Sequence, residues 1–222
     1  MNNEELTNNK ICVSLGGGLP LGDYLQLASK YSFVEARLDL MRIDSEKINL
    51  LAMQCQKWIA TCRPGKLSER ERMVLLSAAI HAGAKYIDIE YEATHEYRQP
   101  LVELAKRRHC KVIISYHNYD ETPDDETLNM IIDRSKGYGA DLVKIAVMAN
   151  SHADCAKVLS LYSRHDNIVA FAMGETGKIT RITSLFLGAE FSYASIDKAH
   201  QTAPGQLTVS QINSIIQLFN YS

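Results

Sequence analysis

Eight short apolar runs recur along the sequence, and their spacing limits the possible folds more than any other feature. The centres of neighbouring runs lie about 22 to 30 residues apart, which is room for a strand, a loop, a helix and a second loop. Eight such units predict an α/β protein with the (β/α)8 (TIM) barrel fold, which typically takes about 250 residues. The runs are "ICVSL", "FVEARL", "WIATCR", "YIDIE", "KVIISYH", "DLVKIAV", "NIVAFAM" and "EFSYAS".

The barrel is predicted to form a single domain over residues 1–222, with residues 1–10 as a flexible N-terminus. The 222 residues suit one larger domain, and no linker rich in proline or glycine divides them. A doubly wound open sheet is the alternative architecture. Against it, the "GGGLP" that follows the first run is neither a GxGxxG dinucleotide-binding motif nor a Walker-type phosphate-binding loop.

Charge and cysteine content argue against several classes of protein. The net charge of -2 indicates no broad basic surface for nucleic acid or for anionic lipid. No apolar stretch approaches the roughly 20 residues that span a bilayer, and the polar start "MNNEELTNNK" is unlike a signal peptide. The five cysteines lack CxxC spacing, which argues against disulfides and zinc sites. The sequence therefore predicts a cytoplasmic protein with free thiols and no metal site.

Polar side chains in the runs share one phase of the strand alternation. Successive side chains of a strand point to opposite faces, and the outer face of a barrel packs against helices and must be apolar. In "FVEARL", for example, Val34 and Ala36 oppose Glu35 and Arg37. Polar groups of five consecutive runs should therefore point into one interior, near the carboxyl ends where barrels have their active sites. These residues are Glu35, Arg37, Thr61, Arg63, Asp88, Glu90, Ser115, His117 and Lys144.

Lys144, His117 and Glu90 are the strongest candidates for catalysis. Burial and nearby cations such as Arg37 and Arg63 should lower the pKa of the Lys144 ammonium. An amine that is partly neutral near pH 7 attacks ketones and aldehydes to form a Schiff base. His117 lies one run earlier and is placed to move protons, while Glu90, one run before that, would orient the imidazole. A lysine that only snorkels or forms an ion pair is the alternative.

The same residues lie in motifs that resemble the type I 3-dehydroquinate dehydratases of the shikimate pathway. The matching stretches cover nearly the whole chain: "VEARLD", "ATCRP", "YIDIE", "VIISYHNYDETP", "GADLVKIAVMA", "AMGETGKITRI" and "TAPGQ". The resemblance implies a (β/α)8 barrel that usually forms a homodimer. It also implies a hydro-lyase of aromatic amino acid biosynthesis, which dehydrates 3-dehydroquinate to 3-dehydroshikimate without a metal or cofactor.

The resemblance also implies roles for individual residues. Lys144 resembles the Schiff-base lysine, His117 the general base and acid, and Glu90 the acid that orients the histidine. Arg181, in "TGKITR", resembles the arginine that binds the substrate carboxylate. The loop that contains "TAPGQ" would close over the bound ring. Further substrate contacts would be Glu35, Arg37, Arg63, Gln206, Thr202 and Met173.

The resemblance is incomplete at two positions. Thr202 and Thr180 stand where the family often has serine, so each keeps the hydroxyl and adds a methyl.

Two other functions are alternatives. A Schiff-base aldolase for a sugar phosphate is the nearest enzyme alternative. Against it, the chain after the last run has no glycine before Gly205, unlike the usual phosphate-binding loops. A non-catalytic barrel that binds a small acid is the other alternative.

Overall fold

The computed structural model describes residues 10–219, so the predicted flexible N-terminus lies, apart from Lys10, outside the described residues. The eight predicted runs are all strands, and every strand pairing in the described part of the chain is parallel. In chain order the strands are β1 (Ile11–Leu15), β2 (Phe33–Arg37), β3 (Lys57–Thr61), β4 (Tyr86–Glu90), β5 (Lys111–Asn118), β6 (Leu142–Met148), β7 (Ile168–Met173), β8 (Ser192–Ser195) and β9 (Leu207–Thr208).

Helices connect the strands, and side chains cap many of their first turns. The helices are α1 (Leu21–Lys30), α2 (Leu38–Met41), α3 (Ser45–Ala52), α4 (Glu69–His81), α5 (His95–Arg107), α6 (Asp125–Gly137), α7 (His152–Ser160), α8 (Gly174–Phe186) and α9 (Val209–Leu218). A reciprocal capping box of Ser68 with Glu71 begins α4, and Ser151 with Asp154 begins α7. These caps satisfy backbone amides that have no partner within the helix.

The two faces of the strands differ as the alternation predicts. Outward residues such as Val34, Ile87 and Ile145 are fully buried in clusters that pack against the helices. The inward residues form two layers. The amino-terminal layer is apolar and includes the rings of Phe33 and Phe191, whose centroids lie 5.0 Å apart. The polar residues lie in the other layer, towards the carboxyl ends of the strands.

The sheet curls into a barrel whose hydrogen-bonded ladder is open at one seam. The strand order is β7-β6-β5-β4-β3-β2-β1-β8-β9, and within residues 10–219 no ladder joins β7 to β8. The rings of Phe171 in β7 and Tyr193 in β8 nevertheless have centroids 6.1 Å apart. Strands separated by six others along the ladder can approach only if the sheet curls round. The predicted barrel class is therefore confirmed and the flat doubly wound sheet is excluded, but at this seam the side chains of Phe171 and Tyr193 approach each other without a strand ladder among the described residues.

The structure also bears on two further predictions, one about the cysteines and one about membrane-spanning helices. All five cysteines are free thiols, as their spacing predicted. In the part of the chain that the structure describes, no helix combines the length and hydropathy needed to cross a membrane.

Candidate active site

A polar cavity lies at the carboxyl ends of the strands, the end where the alternation predicted a site. It brings together nine of the ten predicted catalytic and substrate-binding residues: Lys144, His117, Glu35, Arg37, Arg63, Arg181, Gln206, Thr202 and Met173. Glu90 is the exception. The cavity wall also contains six residues to which the sequence assigned no role: Ser14, Tyr119, Ala146, Phe171, Tyr193 and Ala203.

Lys144 lies in the middle of β6 and is only 6% exposed. Its Nζ is 3.5 Å from Oδ2 of Asp88. Burial is the main cause of a lowered pKa of the Lys144 ammonium, while the carboxylates of Asp88 and Glu35 oppose the shift. The guanidinium groups of Arg63 and Arg37 lower the pKa further, as the sequence predicted. The lowered pKa increases the fraction of neutral, nucleophilic amine.

Asp88 of β4 is the counter-ion of this lysine. From the sequence we predicted only that its side chain faces the barrel interior. Its carboxylate is fully buried; Oδ2 accepts a hydrogen bond from Nη2 of Arg63 at 2.8 Å, and Oδ1 accepts one from Oγ of Ser115 at 2.5 Å. Burial alone would raise the pKa of this carboxyl, but Arg63 and Lys144 hold it below its ordinary value. Asp88 is therefore an anion that fixes two cations beside the cavity.

His117 lies on β5, two residues after Ser115, and Ser115 pairs with Lys144 of the neighbouring strand β6. Its imidazole lines the cavity, is partly exposed and stacks on Tyr119, with ring centroids 6.1 Å apart and planes 13° from parallel. Burial lowers the pKa of the imidazole well below its ordinary value, and the cations Arg63, Lys144 and Arg37 lower it further. The ring is therefore neutral at pH 7, the form that accepts a proton.

Glu90 has different partners from the one predicted for it. Its Oε1 accepts a hydrogen bond from Nη1 of Arg63 and its Oε2 accepts one from Nη1 of Arg72, both at 3.1 Å. Within residues 10–219 no hydrogen bond reaches the His117 ring. Two guanidinium groups attract a carboxylate more strongly than a neutral imidazole does. Glu90 therefore holds Arg63 beside the cavity, and a direct orienting contact with the histidine is absent from the described geometry.

Glu35 joins three strands and a loop through a chain of hydrogen bonds. Its carboxylate accepts from Oγ of Ser14 at 2.7 Å and from Oγ1 of Thr61 at 2.9 Å. Ser14 in turn accepts from Nε2 of Gln206, in the loop after β8, at 3.3 Å. Ser14 lies opposite Val13 and Leu15 in the alternation of "ICVSL". A single polar residue on the inward face of the first run was thus the signal that sequence reasoning missed.

Arg181 of α8 is a fully buried cation without a carboxylate partner among the described residues. Its Nη2 donates to the carbonyl oxygen of Pro204 at 3.3 Å, whereas Nε and Nη1 make no hydrogen bond there. The guanidinium lies over the Phe171 ring, 4.2 Å from its centroid. Burial lowers the pKa of Arg181 to about 10, so the group remains a cation at pH 7. Buried N–H groups of a cation beside a cavity form a site for an anionic group such as a carboxylate.

The loop of residues 196–206 forms one wall of the cavity. The backbone N–H and the hydroxyl of Thr202 both donate to Oε1 of Gln206, at 2.8 and 3.2 Å. Gly205 has a φ of 68°, and a Cβ at this position would overlap the carbonyl group of Gly174 at the start of α8. The loop therefore packs against the first turn of α8, beside the cavity.

The apolar side of the cavity is formed mainly by Met173, Phe171 and Tyr193, all of which are buried. Met173 was predicted. Phe171 has the same phase as Met173 in "NIVAFAM", so the alternation held the signal for it. Phe171 and Tyr193 carry no charge that would distinguish them from outward-facing residues, and for this reason the sequence did not single them out.

Comparison with known proteins identifies the family. The sequence profile described as Type I 3-dehydroquinase matches residues 20–221. A 3-dehydroquinate dehydratase of Desulfotalea psychrophila is 36% identical over an alignment covering 94% of this chain and 97% of that protein. One of Pyrococcus abyssi is 34% identical over 86% of this chain and 89% of that protein.

A solved structure agrees with the sequence relatives. The crystal structure of the 3-dehydroquinate dehydratase of Aquifex aeolicus superposes with a TM-score of 0.80 at 27% identity, over 96% of this chain and all (100%) of that chain. Profile, sequence relatives and fold agree over nearly the full length of the barrel. The chain belongs to the type I 3-dehydroquinase family.

Proposed function

We propose that the chain dehydrates 3-dehydroquinate to 3-dehydroshikimate, the activity for which its relatives are named, as a carbon–oxygen lyase of the shikimate pathway. One observation carries the proposal. A buried lysine with a lowered pKa shares a single cavity with a neutral imidazole and with an arginine that lacks an anionic partner among the described residues. The reaction needs three things from a protein: a nucleophilic amine, a base and a binding site for the substrate carboxylate.

In the first step the neutral amine of Lys144 attacks the ketone carbon of the substrate. A carbon–nitrogen bond forms, and the ketone oxygen leaves as water with one proton from the nitrogen and one from a protein acid. The nitrogen keeps one proton and a positive charge, so the product is an iminium. This cation is an electron sink, because it accepts the electron pair that proton loss from the neighbouring carbon releases.

His117 then removes the C2 proton, and the electron pair moves to the iminium nitrogen to give a neutral enamine. The protonated imidazole next donates that proton to the C1 hydroxyl, which leaves as water while the nitrogen electrons restore an iminium. Hydrolysis by one water molecule releases the product ketone and frees Lys144. The lowered pKa of His117 supports its role as the base, since the ring begins the cycle unprotonated.

Substrate binding is assigned to the remaining wall of the cavity. Arg181 has two nitrogens without partners in the described structure and supplies the hydrogen bonds for the carboxylate of the substrate. Met173 contributes an apolar surface. Glu90 acts on the site through Arg63, to which it is bound. The hydroxyl and carboxylate contacts are assigned to Glu35, Arg37, Arg63, Thr202 and Gln206.

Reductive trapping tests this function. Incubation with 3-dehydroquinate and borohydride should attach a reduced adduct to Lys144, found by peptide mass spectrometry. Lys144→Met keeps the length of the side chain and should abolish both adduct and turnover, whereas Lys106→Met, at an exposed lysine on α5, should change neither. His117→Ala should still allow imine formation but stall proton removal. An adduct on another residue, or full activity of Lys144→Met, would refute the mechanism.

We also propose that the chain forms a homodimer, as the family resemblance implies, and that it works in the cytoplasm, where free thiols persist. Five of the eleven exposed large hydrophobic side chains in the described structure lie on or next to α8 and α9, and these are Ile179, Phe186, Leu187, Leu218 and Phe219. A second copy on this surface would remove it from water. In sedimentation velocity, Ile179→Glu should release monomers, while Val74→Glu on α4 should not.

A further inference from the structure

Tyr193 of β8 presents its ring to Lys144. The Nζ of Lys144 lies 4.2 Å from the ring centroid, within the distance at which an aromatic face attracts a cation. Tyr193 is buried, and its backbone position pairs with Cys12 of β1. The rings of Phe191 and Phe171 lie 5.3 and 6.1 Å away and fix its orientation. The aromatic ring is thus a rigid part of the surroundings of the lysine nitrogen.

The hydroxyl group of Tyr193 is buried and has no hydrogen-bond partner among residues 10–219. A buried polar group without a partner destabilises a fold, so a phenylalanine would pack there at lower cost. What this residue offers the site is the face of its ring.

We propose that Tyr193 is a positioning residue, whose ring face holds the Lys144 nitrogen at the cavity and stabilises the positive charge of this nitrogen in the Schiff base. The inference rests on the proposed function, because only Schiff-base formation creates that charge on a substrate-bound nitrogen. As described above, the attacking amine is neutral, and the iminium keeps one proton and the charge. A ring quadrupole attracts the cation and has little effect on the neutral amine. The ring therefore favours the intermediate over the reactants.

The carboxylates around Lys144 stabilise its positive charge only in part. Asp88 is the counter-ion of Lys144 at 3.5 Å, but it also binds Arg63 and Ser115, and Glu35 binds Ser14 and Thr61. Two guanidinium groups repel a cation at the same place. The ionisable groups that face Lys144 are Cys12 from β1, Glu35 and Arg37 from β2, Arg63 after β3, Asp88 from β4, His117 from β5 and Tyr193 from β8.

A series of substitutions at Tyr193 that weaken the negative face of the ring stepwise tests the inference. Tyr193→Phe is the reference, because it keeps the ring and removes only the hydroxyl. Mono-, di- and trifluorinated phenylalanine at this position keep nearly the same shape but progressively weaken the negative face of the ring. Across the series, kcat and the yield of borohydride-trapped adduct should fall stepwise, to a total of about 3- to 30-fold. Phe33→Leu, which removes a ring from the amino-terminal layer, is the matched control for general loosening of the interior.

The pH dependence of trapping supplies the second measurement. A cation–π contact favours the ammonium, so weakening the ring should lower the pKa of Lys144 and move the acidic limb of the trapping profile to lower pH. Simple loosening would admit water and move that limb to higher pH. An unchanged rate and profile across the fluorinated series, or a shift to higher pH, would overturn the inference. If Tyr193→Phe and the native protein form no adduct at all, the proposed function fails instead.

Discussion

The Nζ of Lys144 and the Nη2 of Arg63 share one oxygen of Asp88, at 3.5 and 2.8 Å. The carboxylate has two effects on the site. It raises the pKa of the lysine against the larger effect of burial, and it keeps both cations from moving apart by mutual repulsion. The position of the amine and its charge therefore depend on the same fully buried residue.

Replacing Asp88 by asparagine keeps the shape of the side chain and removes its charge. The pKa of Lys144 should then fall further, since an opposite charge at this distance has been lost. The pH at which half of the protein is trapped by substrate and borohydride should move down with it. Asp125→Asn, at an exposed carboxylate on α6, is the control. An unmoved profile for Asp88→Asn would mean that Asp88 is not the counter-ion.

Replacing Arg181 by methionine should separate stability from function. The native side chain is a buried cation with two nitrogens that lack partners in the described structure, and a methionine would keep the contact with Phe171. The free energy of unfolding should rise by about 1–2 kcal/mol in urea titrations. The KM for a carboxylate substrate should rise by about 10- to 100-fold, because a charge-assisted hydrogen bond is worth about 1.5–3 kcal/mol. A less stable variant would contradict the first expectation, and an unchanged KM the second.

Replacing Gly205 by alanine should keep the loop of residues 196–206 away from α8. The added Cβ would overlap the carbonyl group of Gly174, and the φ of 68° favours glycine. We expect kcat/KM to fall at least about tenfold, with faster proteolysis of the loop. Gly188→Ala is the matched control, because its φ is 111° but no atom lies within 4 Å of the new Cβ. Equal losses in both variants would assign the effect to backbone strain alone.

Protonation of His117 should make stability depend on pH. Its pKa in the fold lies well below the ordinary value of about 6.5 that it regains on unfolding. Above pH 6.5 both states are neutral; as the pH falls below this value the unfolded state takes up a proton that the folded state does not, so stability decreases. Urea titrations at about pH 7.5 and 5.5 should show a smaller loss for His117→Asn than for the native chain. Equal losses would mean that the fold does not depress this pKa.

Much of the fold and of the site follows from local patterns in the sequence. The eight apolar runs became eight strands, and their alternation correctly placed Glu35, Asp88 and Lys144 on the inner face. The direction of a strand side chain depends on its own backbone, so a pattern with a period of two determines it without knowledge of the neighbours. The lowered pKa of Lys144 followed for the same reason, because burial is its main cause.

The tertiary structure decided which of these inward groups are partners. Glu90 binds Arg63 and Arg72 instead of His117, Asp88 pairs with Lys144 across 56 positions of chain, and the ladder stays open between β7 and β8. Several carboxylates and cations point into the barrel interior. The alternation of side chains along each strand does not determine which of them form pairs. Strand register and side-chain reach select among these pairings, and both depend on contacts between residues that are far apart in the sequence.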